Sequence, residues 1–130
     1  MKNTILLALG FYWMGFLAEA GITRISDGGQ SIELSDIMIE DEPAVFVFYT
    51  SWNQDSLNML NEIESWASDY PDLPVFFVDC MDQRTQVYRQ FELNKIPSIV
   101  VYDEEENKVG SAVYEVDDLE DLLKANDLID

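Results

Sequence analysis

Hydrophobic positions change period several times along the chain, and each change marks an element. Residues 44–49, Ala-Val-Phe-Val-Phe-Tyr, form an unbroken β-branched and aromatic run, the pattern of a strand covered on both faces in a parallel sheet. Over residues 55–70 the period becomes helical. Leu57, Leu60, Ile63, Trp66 and Ala67 share one side with Asp, Asn, Glu and Ser between them, which predicts an amphipathic helix. Residues 74–78 read as a second buried strand and residues 83–91 as a shorter helix with Val87, Tyr88 and Phe91 on one face. Residues 97–102 read as a third strand, 103–107 as a polar hairpin turn and 108–116 as the antiparallel partner. Gly28-Gly29 marks a turn after the short apolar stretch 21–25. Ser31 is expected to cap a short helix running through Ile39, built on Ile32, Leu34, Ile37 and Met38 and stopped by Pro43. Asp117 is expected to cap the last helix, with Glu120 completing a capping box beside Leu119, Leu122 and Leu123. The predicted order is β, α, β, α, β, α, β, β, α, an α/β class fold in a single domain over residues 21–130.

The first 20 residues follow a different pattern. One lysine precedes an apolar run over residues 5–18, and Ala18-Glu19-Ala20 then places small residues at the two positions a signal peptidase reads. That is the layout of a secretory leader. The run is shorter than the roughly 20 residues of a spanning helix. Cleavage would put the domain in the secretory pathway, the periplasm or outside the cell. Retention would make residues 5–18 the one route to membrane contact, or embed the protein in an assembly.

Composition removes several chemistries. The chain has 130 residues, no histidine and one cysteine, so Ser-His and Cys-His nucleophile pairs, imidazole metal sites, an intramolecular disulfide and a dithiol couple are all excluded. With 26 acidic and 7 basic side chains the net charge is −19, and a polyphosphate would be repelled, which excludes nucleic acid as a partner. Lys2 and Glu19 cancel, so residues 21–130 carry all of that charge. The 48% of hydrophobic residues nonetheless suffices for a packed core.

Three stretches carry a resemblance. Val45-Phe-Val-Phe-Tyr-Thr-Ser-Trp52 resembles the strand leading into the active site of thioredoxins and protein disulfide isomerases, and Val78-Asp79-Cys80 is similar to the V-D-C ending the next strand in many isomerase domains. Phe91-Glu-Leu-Asn-Lys-Ile-Pro97-Ser98 is similar to the family's Y-G-I-x-G-I/Y-P-T, whose proline is cis. The resemblance spans residues 22–126 and implies a thioredoxin-like three-layer α/β/α sandwich around a mixed sheet, a parallel βαβ unit followed by a hairpin and a closing helix. It also implies a cis bond before Pro97. The family's peptide groove would then lie beside Ile96 and Pro97, with Trp52, Tyr114 and Glu115 as its other candidate lining.

The same resemblance shows what is missing. Where the family has W-C-x-x-C, this chain reads Trp52-Asn53-Gln54-Asp55-Ser56, with Asn53 at the nucleophilic and Ser56 at the resolving position. The buried carboxylate that relays protons in many thioredoxins falls at Val47. A serine without an adjacent base is a poor nucleophile, and Asn53 or Asp55 is expected to cap the following helix instead. Cys80, the lone thiol, is expected to be a buried hydrophobe at a strand end away from the Trp52 loop. Glu92 and Lys95 stand where the family has glycines, and the glycine near the end of the last strand is replaced around Tyr114 and Glu115. A bulkier, charged groove rim is expected.

Acidic runs at residues 103–106 and at Asp117, Asp118, Glu120 and Asp121 read first as solvated surface whose helix-start carboxylates favour the dipole. A basic protein partner is a second reading. Diffuse, weak calcium binding, as in the acidic thioredoxin-like domains of calsequestrin-type proteins, is a third, since no EF-hand pattern is present. The expectation is a redox-inactive thioredoxin-like protein, with no cofactor and no catalytic residue, acting as an interaction or structural subunit. The alternatives are a non-redox secretory chaperone binding extended peptides at the groove, or the calcium-binding domain.

Overall fold

A computed structural model describes residues 21–26 and 28–130, so the expected leader lies outside the described residues. Among the described residues five strands form one sheet: β1 (Ile22–Ile25), β2 (Ala44–Tyr49), β3 (Val75–Asp79), β4 (Ser98–Tyr102) and β5 (Lys108–Val113). Four helices accompany them among the described residues: α1 (Leu34–Ile37), α2 (Gln54–Ala67), α3 (Gln86–Gln90) and α4 (Val116–Ala125). The spatial order of strands is β1-β3-β2-β4-β5. β1, β3 and β2 run parallel, β4 is antiparallel to β2, and β5 is antiparallel to β4. The element order matches the order read from the sequence.

β2 sits at the centre because its apolar run has two faces to bury. Val45 and Val47 face a core built with Met59, Leu60, Ile63 and Ala67 of α2 and Leu119 and Leu123 of α4. Phe46 and Phe48 face the opposite core, built with Ile32, Val87, Phe91 and Leu93. All four strand side chains are fully buried, each contributing roughly 1.5–3 kcal/mol. Aromatic packing concentrates on the second face, where the Phe48 and Phe91 rings lie 4.7 Å apart and Phe46 and Phe76 5.1 Å apart. The result is the three-layer α/β/α arrangement.

Several boundaries differ from the sequence reading, each for a local reason. Ser31 caps nothing. Gln90 pins the chain before α1 in an extended path, accepting from the Ile32 amide at 2.9 Å and donating to its carbonyl at 2.6 Å, so the helix starts at Leu34 and ends before the extended Met38. α2 stops at Ala67 rather than residue 70, because the Asp69 and Tyr70 amides bond back only three residues, to Trp66 and Ala67, ahead of Pro71. Its buried stripe is Ser56, Met59, Leu60, Ile63 and Ala67, which leaves Leu57 exposed. α3 begins only at Gln86 because Thr85 is extended and its hydroxyl donates to the Cys80 carbonyl at 2.8 Å. The capping box at α4 is absent too. Glu115 is the residue before the first turn, and Glu120 accepts from the Trp66 indole at 3.0 Å and from Lys124 at 2.9 Å. Those bonds hold the Glu120 carboxyl below its ordinary range, Lys124 first and Trp66 second.

Gly29 shows where the backbone needs glycine: its φ is +82°, and a Cβ there would collide with the Thr85 side chain. α3 and α4 end differently. In each, the residue after the C-cap adopts positive φ, Glu92 at 55° and Asp127 at 58°. The next amides close the Schellman pattern, Glu92 to Arg89 and Leu93 to Tyr88 in one, Asp127 to Lys124 and Leu128 to Leu123 in the other. A carboxylate residue thus sits where glycine is usual. Glu92→Gly is expected to raise the unfolding free energy by about 0.5–1 kcal/mol in urea denaturation, the relief of the left-handed strain exceeding the added chain entropy. An unchanged or lowered midpoint would show that Glu92 compensates elsewhere.

Candidate functional site

The site expected from the sequence lies where β2 turns into α2. Asn53 is extended, with φ −107° and ψ 123°, and its side chain accepts the Ser56 amide at 2.9 Å. Asn53 therefore caps the helix, and Asp55 lies exposed in its first turn, where a carboxylate favours the positive end of the dipole. Ser56 is fully buried, and its hydroxyl accepts the Thr50 amide at 3.2 Å. The Asn53 amide in turn donates to the Thr50 carbonyl at 3.3 Å. Gln54 reaches along the helix to Asn58 at 3.0 Å. Asn53 and Ser56 are both committed to holding backbone.

Trp52 is 69% exposed, yet its indole donates to the Met81 carbonyl at 2.8 Å. That bond corrects the expected separation of Cys80 from the Trp52 loop, since Met81 is the next residue along the chain. Cys80 is fully buried in the core formed with Phe46, Phe48 and Phe91. Burial first, and the neighbouring Asp79 carboxylate second, push the thiol up to about 12, the opposite of what a reactive cysteine needs. Val47, at the relay position, is fully buried with Phe77 and Ile99 as its register partners.

The Ile96–Pro97 bond is cis, and these two residues line a cavity of about 320 Å³ together with Lys95, Tyr114 and, from α2, Asp55, Asn58, Met59 and Glu62. Of the groove residues expected from the sequence, the structure brings Ile96, Pro97 and Tyr114 together. Trp52 does not line this cavity, and Glu115 lines a second one of about 200 Å³ that shares Glu62 and Tyr114 with the first. The α2 wall was missed in the sequence reading, although Asp55, Asn58 and Glu62 fall at i, i+3 and i+7 and so on one helix face. Lys95 does more than enlarge the rim: its Nζ lies 4.3 Å from the centroid of the Tyr114 ring. Among the described residues no three His, Cys, Asp or Glu side chains are placed to hold a metal ion, and no helix is long and apolar enough to cross a membrane.

The chain is similar in structure to spinach chloroplast thioredoxin f in its short form, with 20% identity and a TM-score of 0.66 over 84% of this chain and 96% of that one. The fold is thioredoxin-like. A chain of the complex between ferredoxin:thioredoxin reductase and thioredoxin f2 gives a TM-score of 0.67 at 15% identity, over 85% of this chain and 99% of that one. Schistosoma mansoni thioredoxin gives 0.63 at 17% identity, over 82% and 95%. No family model and no curated protein matches the sequence. On this thioredoxin-like scaffold a single cysteine leaves no intrachain dithiol.

The state of Cys80 has a measurable consequence. From about pH 9, the thiol's ordinary value, to about 12, its folded value, the unfolded chain releases a proton that the folded chain keeps. Its stabilising contribution is complete below that window and is lost as pH rises through it. The half-buried Tyr49 and Tyr102 phenols, both raised chiefly by burial, act with the same sign. Urea titrations across this window are expected to show falling stability, with a shallower decline in Cys80→Ala. An identical slope in that variant would contradict the burial of the thiol.

Proposed function

We propose that this is a redox-inactive thioredoxin-like module that works by binding another protein, as an adaptor or structural subunit. One observation carries the reading. The two positions that the resemblance assigns to cysteines hold Asn53 and Ser56, and both side chains are hydrogen-bonded into the β2–α2 junction. Neither accepts or releases electrons, and neither has a base beside it to make a nucleophile. Cys80, buried and shifted up to about 12, offers no substitute thiolate.

What remains of such a site is its binding surface. An exposed Trp52 and the groove beside Pro97 survive the loss of the thiols, and a structural neighbour was solved within a complex between ferredoxin:thioredoxin reductase and thioredoxin f2. Both features support a protein partner. The open groove also favours a second reading, a non-redox chaperone that holds extended peptides, which the apolar leader would place in the secretory pathway.

Insulin reduction by the full chain with dithiothreitol is expected to run at the uncatalysed rate. Turnover above that background would remove the redox-inactive reading outright.

A further inference from the structure

The α2 lining of the groove presents Asp55 and Glu62, and its other lining comes from Lys95, Ile96, Pro97 and Tyr114. Three ion pairs occur among the described residues: Arg24 with Glu64, Arg84 with Asp82, and Lys124 with Glu120. None of them involves Asp55, Glu62 or Lys95. The groove therefore contains two carboxylates without a bonded cation and one aromatic face covered by the chain's own ammonium group, with Lys95 Nζ 4.3 Å from the Tyr114 centroid. A cation over a tyrosine face is held by the ring quadrupole, and only weakly where water reaches it. Lys95 is exposed and sits on a long flexible stem, so it is easily displaced.

We infer that this groove recognises a lysine or arginine side chain on an extended segment of a protein partner, and that Lys95 is an internal occupant which the partner's cation displaces from the Tyr114 ring. The inference rests on the reading of the chain as a protein-binding module and adds the chemistry of the partner. Charge complementarity selects this occupant. The incoming cation shares the cavity with Asp55 and Glu62, and the second cavity, which shares Glu62 and Tyr114, adds Glu115 and Asp117. The net charge of −19 steers a basic segment toward the molecule and repels an acidic one.

The probes are two capped pentapeptides, acetyl-Gly-Val-Arg-Val-Gly-amide and the same peptide with norleucine in place of arginine. Binding to the full chain is followed by NMR titration of the amides of residues 95, 96 and 114. The arginine probe is expected to bind about tenfold more tightly than the norleucine probe, a preference that about 0.5 M salt should largely erase. Lys95→Ala is expected to tighten the arginine probe by roughly threefold, because the competitor is gone. Asp55→Asn combined with Glu62→Gln should bring the two probes to near equality. Circular dichroism verifies that each variant is folded. Equal affinities for the two probes in the full chain and in Lys95→Ala would overturn cation recognition while leaving the protein-binding reading in place. Binding of neither probe to either protein would overturn both.

Discussion

The buried Ser56 hydroxyl accepts the Thr50 amide, while the Ser56 amide donates to Asn53, and this pair of bonds ties the end of the central strand to the start of the longest helix. Thr50 is itself buried, so its amide would otherwise be left without a partner, at a cost of about 1–3 kcal/mol. With the junction closed, α2 leaves β2 at a fixed angle. Met59, Leu60, Ile63 and Ala67 then meet Val45 and Val47 from above. The same closure sets Asp55, Asn58 and Glu62 along the groove. Fold and candidate site share this origin.

On this thioredoxin-like scaffold Asn53 and Ser56 anchor the β2–α2 junction. A cysteine at the start of a helix is activated by the dipole and the unpaired amides. Here the Asn53 side chain occupies one of those amides, that of Ser56, and the Ser56 hydroxyl holds the Thr50 amide at the end of the preceding strand. The lone thiol lies in the opposite core layer, where burial suppresses its ionisation. The strand ends present to solvent an exposed Trp52 bonded to the Met81 carbonyl, and a groove whose charged lining comes from α2 and Lys95.

Elements whose residues are buried on both faces were readable from the sequence because their pattern reflects no competing demand. β2 is one such case, and its sequence boundaries coincide with the structural ones. Short helices were less readable. At residues 31–39 a tertiary partner, Gln90, overrides local capping chemistry, and no feature of residues 31–39 announces it. Glu120 reads as half of a capping box because its spacing from Asp117 fits, yet Trp66, distant in sequence, claims its carboxylate. The site divides in the same way. Asn53 as a cap was legible, since N-capping is a local property, and so was burial of Cys80 beside Val78. The groove's charged wall was not, because it depends on how α2 lies against the Pro97 segment. The contact of Lys95 with Tyr114 joins residues 19 positions apart, which no local pattern encodes.

Asn53 and Ser56 hold the β2–α2 junction together. The most direct measurement is the urea-denaturation free energy of the Asn53→Cys/Ser56→Cys double variant, kept fully reduced, against the unmodified chain. Loss of the cap and of the acceptor for the buried Thr50 amide predicts a decrease of roughly 2–3 kcal/mol. A reduced double variant as stable as the unmodified chain would contradict the account, because the two residues would then hold nothing together.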